Sequence, residues 1–300
     1  MSSPPAKELA GIIPAAITPF DPSGAVDLAA ARVLFGRLKG HGVHGLFVAG
    51  STGESWSLDD DERVRLAEVA LDVAGGDIPV VVGSGRSSTR AALALATRCA
   101  AAGVDAVVLP PPDFVRPTED ELLAHFAAVA AAVRCKIVLY NIPQFTGYGL
   151  TPTLAARVAA ACENLAAIKD SCGDLTLTLE FRRLLPERIA VFTGADPLLL
   201  AVLLGGGQGA VLGSASVFPA LSLAVFDAWR RGDLAAAREA QKRLLPFWLF
   251  ARGATFPAAY KAAAELLGLP AGRPRAPVAP LPATQLDELK RVLAAIGALR

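Results

Sequence analysis

Lys169 ends the apolar run Leu165-Ala166-Ala167-Ile168 and stands just before Asp170-Ser171. A lysine at the end of a buried strand carries a desolvation cost. That cost favours the neutral amine, the form that attacks a ketone carbonyl to make a Schiff base. The competing reading pairs Lys169 with Asp170 or another acid as a structural ion pair. Tyr140 ends the preceding apolar run, Lys136 to Tyr140, so in a sheet of sequential neighbours its phenol would lie beside Lys169 and could move a proton. A core tyrosine with a satisfied hydroxyl is the plainer alternative. The pair points to covalent carbonyl chemistry more strongly than either residue does alone.

Gly50-Ser51-Thr52-Gly53-Glu54 places the hydroxyls of Ser51 and Thr52 in a turn that glycine makes possible, with consecutive N–H groups able to hold a carboxylate. The same composition also occurs in ordinary loops. The Gly205 to Gly209 cluster could cradle a phosphate, but no basic residue is near it in sequence, and it reads as a helix stop followed by a tight turn. His41 and His44 precede the second strand, at the end opposite these groups, and read as surface or packing residues. Cys99, Cys135, Cys162 and Cys172 are scattered without a Cys-x-x-Cys pair, so no metal or redox site is assigned.

The elements that must position these residues follow from hydrophobic patterning. Short β-branched runs at Ile12 to Ile17, Val43 to Ala49, Ile78 to Gly83, Val104 to Leu109, Lys136 to Tyr140, Leu165 to Lys169, Ile189 to Thr193 and Ala210 to Leu212 alternate with helical stretches such as Asp59 to Ala74, Ser87 to Ala102, Glu119 to Val133 and Thr151 to Ala161. Alternation of this kind predicts a parallel sheet with crossover helices, and eight units close into a (β/α)8 TIM barrel of roughly 250 residues. A doubly wound open sheet fits less well, since Thr18-Pro19-Phe20 stands where a Gly-x-Gly-x-x-Gly turn would follow the first strand. The barrel is expected to occupy residues 1–231. A C-terminal helical extension, 232–300, follows, with helices at Asp233 to Ala251, Ala254 to Gly268 and Thr284 to Leu299 around a Pro-rich link.

A net charge of +1 gives no field to attract nucleic acid or anionic lipid, and 53% hydrophobic residues exclude a disordered chain. Between Asp196 and Asp227 there is no charged residue, yet the glycines and Pro219 inside that stretch argue against a membrane span. The first residues, from Met1, do not read as a signal peptide, so the expected location is cytoplasmic.

Taken together, Thr18-Pro19-Phe20, Gly50-Ser51-Thr52-Gly53-Glu54-Ser55, Tyr140-Asn141-Ile142-Pro143, Thr146-Gly147 and Ile168-Lys169-Asp170-Ser171 make the chain resemble the family of dihydrodipicolinate synthase and N-acetylneuraminate lyase, pyruvate-dependent class I aldolases on this barrel. The resemblance implies that Lys169 forms the Schiff base with pyruvate or another 2-oxo acid and that Tyr140 relays the proton. It further implies that Ser51 with Thr52 holds the carboxylate, with Gly194 and Val211 completing the substrate-binding set. The iminium then acts as the electron sink, and no metal or organic cofactor is called for.

Departures from the family pattern shape the expected substrate. Dihydrodipicolinate synthases carry an arginine two residues after the proline of Tyr-Asn-x-Pro, where it binds the carboxylate of aspartate semialdehyde; here that residue is Phe145. Their proton-relaying tyrosine in the loop after the fourth strand is matched by Asp113-Phe114-Val115, and Pro197 stands where the sialic-acid enzymes place a sugar-binding glutamate. The expectation is therefore a 2-keto-3-deoxy sugar acid aldolase or a related dehydratase joining or splitting pyruvate and an aldehyde. Dihydrodipicolinate synthase is the runner-up, needing an arginine supplied from elsewhere, and a non-catalytic oxo-acid-binding barrel stands third. On this reading aspartate semialdehyde would be a poor substrate. A homotetramer is expected from the resemblance.

Overall fold

A computed structural model describes residues 7–299, so the first six residues of the start, which does not read as a signal peptide, lie outside the described residues. Eight parallel strands, β1 (Gly11–Pro14), β2 (Leu46–Val48), β3 (Val80–Gly83), β4 (Ala106–Leu109), β5 (Lys136–Asn141), β6 (Leu165–Asp170), β7 (Ala190–Thr193) and β8 (Gly209–Leu212), hydrogen-bond in the order β1-β8-β7-β6-β5-β4-β3-β2. A single parallel bridge, Ala15 to Phe47, brings β1 to β2 and closes the (β/α)8 TIM barrel. The first strand is shorter than the sequence suggests because the chain changes partner there: Ala15 N–H bonds the Leu212 carbonyl of β8, and Ala16 N–H bonds the Phe47 carbonyl of β2. Gly209 makes the other half of the closure possible, since a Cβ on it would stand 2.0 Å from the Gly11 carbonyl oxygen.

Thirteen α-helices are described: α1 (Leu28–Gly40), α2 (Asp60–Ala74), α3 (Thr89–Ala101), α4 (Glu119–Ala132), α5 (Pro143–Thr146), α6 (Pro152–Ala161), α7 (Leu175–Leu184), α8 (Leu199–Leu204), α9 (Ser214–Val217), α10 (Pro219–Arg230), α11 (Leu234–Gly253), α12 (Ala258–Leu266) and α13 (Ala283–Ala295). Their starts follow the local chemistry. Asp59 and Thr118 form capping boxes with Glu62 and Glu121, each satisfying backbone N–H groups that the first turn leaves free. The charge-free stretch after Asp196 folds as α8, a glycine turn, β8, α9 and α10, and among the described residues no helix is long and apolar enough to cross a membrane.

Side chains alternate along each strand, so two cores form. Inside the barrel, Ile13, Phe47, Val138, Ala167, Phe192 and Val211 pack together; Ile168, Leu139 and Val191 face outward into a larger layer under the helices. Leu244, Phe247, Leu289 and Leu293 of α11 and α13 belong to that outer layer. His44 packs its ring 4.9 Å from Phe226 and accepts the Ile12 N–H, as a packing residue would.

Candidate active site

The β5–β6 register places Tyr140 opposite Lys169. Both point into the barrel, and the Lys169 Nζ lies 4.2 Å from the centre of the Tyr140 ring and 5.0 Å from that of Phe47. Lys169 is only 3% exposed. Asp170 is not its partner. Being the next residue along the strand, Asp170 points to the outer layer, where it accepts hydrogen bonds from Asn141 at 2.8 Å and Thr178 at 2.6 Å. The Lys169 Nζ is thus held against two aromatic faces.

Ser51 reaches the pair from the loop after β2: its Oγ is 3.1 Å from the Tyr140 hydroxyl. Two non-glycine residues of that loop, Ala49 (φ 50) and Glu54 (φ 57), adopt the left-handed backbone, a strain that the packing must hold in place. The loop is clamped from below, where Thr18 donates to the Gly53 carbonyl at 2.7 Å, and from the C-terminal extension, where Lys261 pairs with Glu54 at 2.8 Å. Both members of that ion pair are buried; burial pushes Lys261 down while Glu54 opposes the shift.

The other predicted site residues are placed differently from one another. Gly194 lies against the lysine: a Cβ there would stand 1.8 Å from Ser171 Oγ and 3.0 Å from Lys169 Cε. Val211 shares with Lys169, Phe47 and Phe192 the lining of a void of about 10 Å³ inside the barrel. Thr52 is buried away from the main cavity, beside Gly213, where an added Cβ would meet both Thr52 Oγ1 (3.0 Å) and the Tyr260 ring (2.9 Å).

The main cavity, about 500 Å³, opens above this group and is lined by Phe47, Ser51, Tyr140, Phe145 and Phe256, together with two arginines that the sequence reading had passed over, Arg63 and Arg86. Arg63 is buried and donates only to main-chain carbonyls, those of Gly83 at 3.0 Å, Gly85 at 3.2 Å and Ser55; burial and the nearby Arg86 charge push it down to about 10. In sequence it closes the run Asp59-Asp60-Asp61-Glu62-Arg63, which looks like a solvated helix face. Asp196 was also missed. It is wholly enclosed, accepts from Ser214 Oγ, and is pushed by burial up to about 6. Beside it, burial and the Asp196 carboxylate push the Tyr260 phenol well above its usual range.

Comparison with known proteins decides the class of site. The profile of the dihydrodipicolinate synthetase family matches residues 8–296. This chain belongs to that family. It is similar to the 4-hydroxy-tetrahydrodipicolinate synthases of Methanopyrus kandleri (36% identical, covering 97% of this chain and 98% of the relative) and of Synechococcus sp. strain JA-2-3B'a(2-13) (37%, covering 96% and 94%). Among solved structures it resembles a prophage protein of the dihydrodipicolinic acid synthase family from E. coli K12 in complex with pyruvate, at 31% identity, with 96% and 99% of the two chains covered and a TM-score of 0.93. It resembles equally the enzyme from Cyanidioschyzon merolae with lysine bound, at 30% identity, with 97% and 99% covered and a TM-score of 0.93.

The family makes this an enzyme, a lyase of the class I lysine Schiff-base type. It also corrects the expected substrate. Near-full-length relatives named 4-hydroxy-tetrahydrodipicolinate synthase overturn the reading of a 2-keto-3-deoxy sugar acid aldolase or dehydratase. That reading rested on Phe145 and Phe114 as missing polar groups. A single position is a poor guide to the charge of a pocket, because this cavity is lined from several loops at once. Here Arg63 and Arg86 line it although Phe145 does not supply a cation.

Proposed function

We propose that the protein is a 4-hydroxy-tetrahydrodipicolinate synthase, condensing pyruvate with aspartate semialdehyde. The observation that carries this is the contact of Lys169 with Tyr140 and of Tyr140 with Ser51 in a chain whose full-length relatives bear that name. In this reading the Lys169 amine attacks C2 of pyruvate, water leaves, and the resulting iminium makes the methyl protons acidic. Loss of one gives an enamine whose carbon attacks the aldehyde. The amine of the semialdehyde then adds to C2 and displaces Lys169, closing the ring and freeing the enzyme; one water is released overall. Tyr140, tied to Ser51, carries protons to and from the oxygen at C2.

Ser51, Thr52, Gly194 and Val211 surround the pyruvate in this reading, with Thr52 contributing its main chain because its hydroxyl is turned away. The barrel, residues 1–231, carries the chemistry and 232–300 serves as a helical extension in a cytoplasmic homotetramer. Incubation with pyruvate and borohydride should add one pyruvate-derived group, found on Lys169 by peptide mass analysis. Pyruvate and aspartate semialdehyde together should give a product consumed by a coupled reductase. An unmodified Lys169, or full turnover by Lys169→Ala, would remove this reading.

A further inference from the structure

We infer that Arg86, with Arg63 fixed behind it, receives the carboxylate of the aldehyde substrate. The inference rests on the synthase reading above, because that substrate is an anion and a partly desolvated carboxylate needs a cation facing it. Phe145 cannot serve; its half-exposed ring packs 5.2 Å from Phe256 on the cavity wall. Arg86 lines the same cavity as Ser51 and Tyr140.

Its geometry suits the task. The Nε donates to Asp60 at 2.9 Å, and Nη2 donates both to Asp60 and to the Leu58 carbonyl at 3.2 Å, so the guanidinium plane is held at one edge. Among the described residues Nη1 has no such partner. Gly85 fixes the start of this loop, since a Cβ there would stand 2.4 Å from the Pro110 ring. Behind it, Arg63 is buried with its Nε unpartnered and pairs with no carboxylate in its own hydrogen bonds. The acids facing this corner are Asp60, which Arg86 already engages, and Asp113, which is exposed and accepts from Ser87 Oγ. Two guanidiniums therefore meet one engaged carboxylate and one solvated one, which leaves a partly exposed corner with positive charge in excess. A pinned fork with one free edge binds a carboxylate at little further cost in side-chain entropy.

The test compares Arg86→Met and Arg86→Lys with the parent enzyme, using pyruvate and two four-carbon aldehydes, succinic semialdehyde and butanal, beside aspartate semialdehyde. Arg86→Met should raise KM for both anionic aldehydes about 10- to 100-fold, with kcat less affected. The KM for pyruvate and borohydride trapping on Lys169 should stay within twofold, and the response to butanal should not change. Arg86→Lys keeps the charge without the fork and should lie between, which also serves should the methionine variant not fold. Unchanged KM for the anionic aldehydes, or equal losses for charged and uncharged ones, overturns the role of Arg86. A parent enzyme that traps no pyruvate, or traps it but turns over no carboxylate-bearing aldehyde, instead removes the synthase reading and this inference with it.

Discussion

Tyr140 makes two contacts that pull in different directions: its ring faces the Lys169 ammonium and its hydroxyl meets Ser51. A Tyr140→Phe enzyme keeps the first and loses the second. It should therefore still hold pyruvate but turn over on the order of 100-fold more slowly, the usual scale for a lost acid–base group; steady-state kinetics with unchanged kcat would return Tyr140 to the core. Gly194 is constrained by room rather than by backbone freedom. The methyl of Gly194→Ala would push on Ser171 and on the Lys169 stem, so borohydride trapping should slow by about 10-fold or more, as misplacing a reacting group does. Equal trapping rates in the two proteins would sink that argument. Lys169 and Tyr140 were legible because a polar residue closing an apolar run breaks a pattern. Arg63 and Arg86 were not, because an arginine in a charged run and one in a Gly-Ser loop break none.

At the level of elements, the loop after β2 is held by the chain's far end. Glu54 sits in a left-handed conformation, fully buried, paired with Lys261 of α12 and accepting the Arg275 N–H at 2.9 Å, while the Arg275 guanidinium bonds Glu62 of α2 at 2.7 Å. Removing one partner of such a pair strands the other charge. Lys261→Met should destabilise the protein by about 3–5 kcal/mol in denaturant titration, and adding Glu54→Gln should recover part of the loss. A double variant no more stable than Lys261→Met would show that the charge is not the cause. The strands and long helices were readable in the sequence from their 2.0 and 3.6 periods. Their clamping by Lys261 and Arg275 was not, since more than 200 positions separate the partners.

Asp196 gives the whole molecule a pH dependence. Its carboxyl is raised to about 6 in the folded protein against 3.8 as the ordinary value, so between about pH 4 and 6 the folded state holds a proton that the unfolded chain releases. This group's contribution to stability is therefore present below about pH 4, is lost as pH rises to about 6 and is level above. Asp196→Asn should gain stability relative to the parent over that window, read as the difference between their urea midpoints at pH 4.5 and 6.5; parallel pH profiles would refute it. Assembly is the other property at this scale. Trp56, Phe114, Val115 and Phe145 are exposed, and Phe114 holds a left-handed backbone with its ring in solvent. The proposed homotetramer should give a single oligomeric mass by light scattering at micromolar concentration, and Phe114→Asp should lower it; a monomeric parent would exclude the proposal.

By itself the sequence determined the barrel, the family, and the lysine and tyrosine that face each other, because strand periodicity sets which side chains share a face and consecutive parallel strands sit side by side. It misdirected the substrate. Positions 114 and 145 were weighed one by one, whereas the charge of a pocket is the sum over every loop that reaches it. Only the tertiary structure decided that α2 and the loop after β3 bring Arg63 and Arg86 to the wall that Phe145 leaves apolar. It alone turned the Thr52 hydroxyl toward Gly213 and locked the Ser51 loop to α12. Local pattern fixes direction along an element, but which distant groups converge on one cavity depends on packing, and packing is a property of the closed barrel.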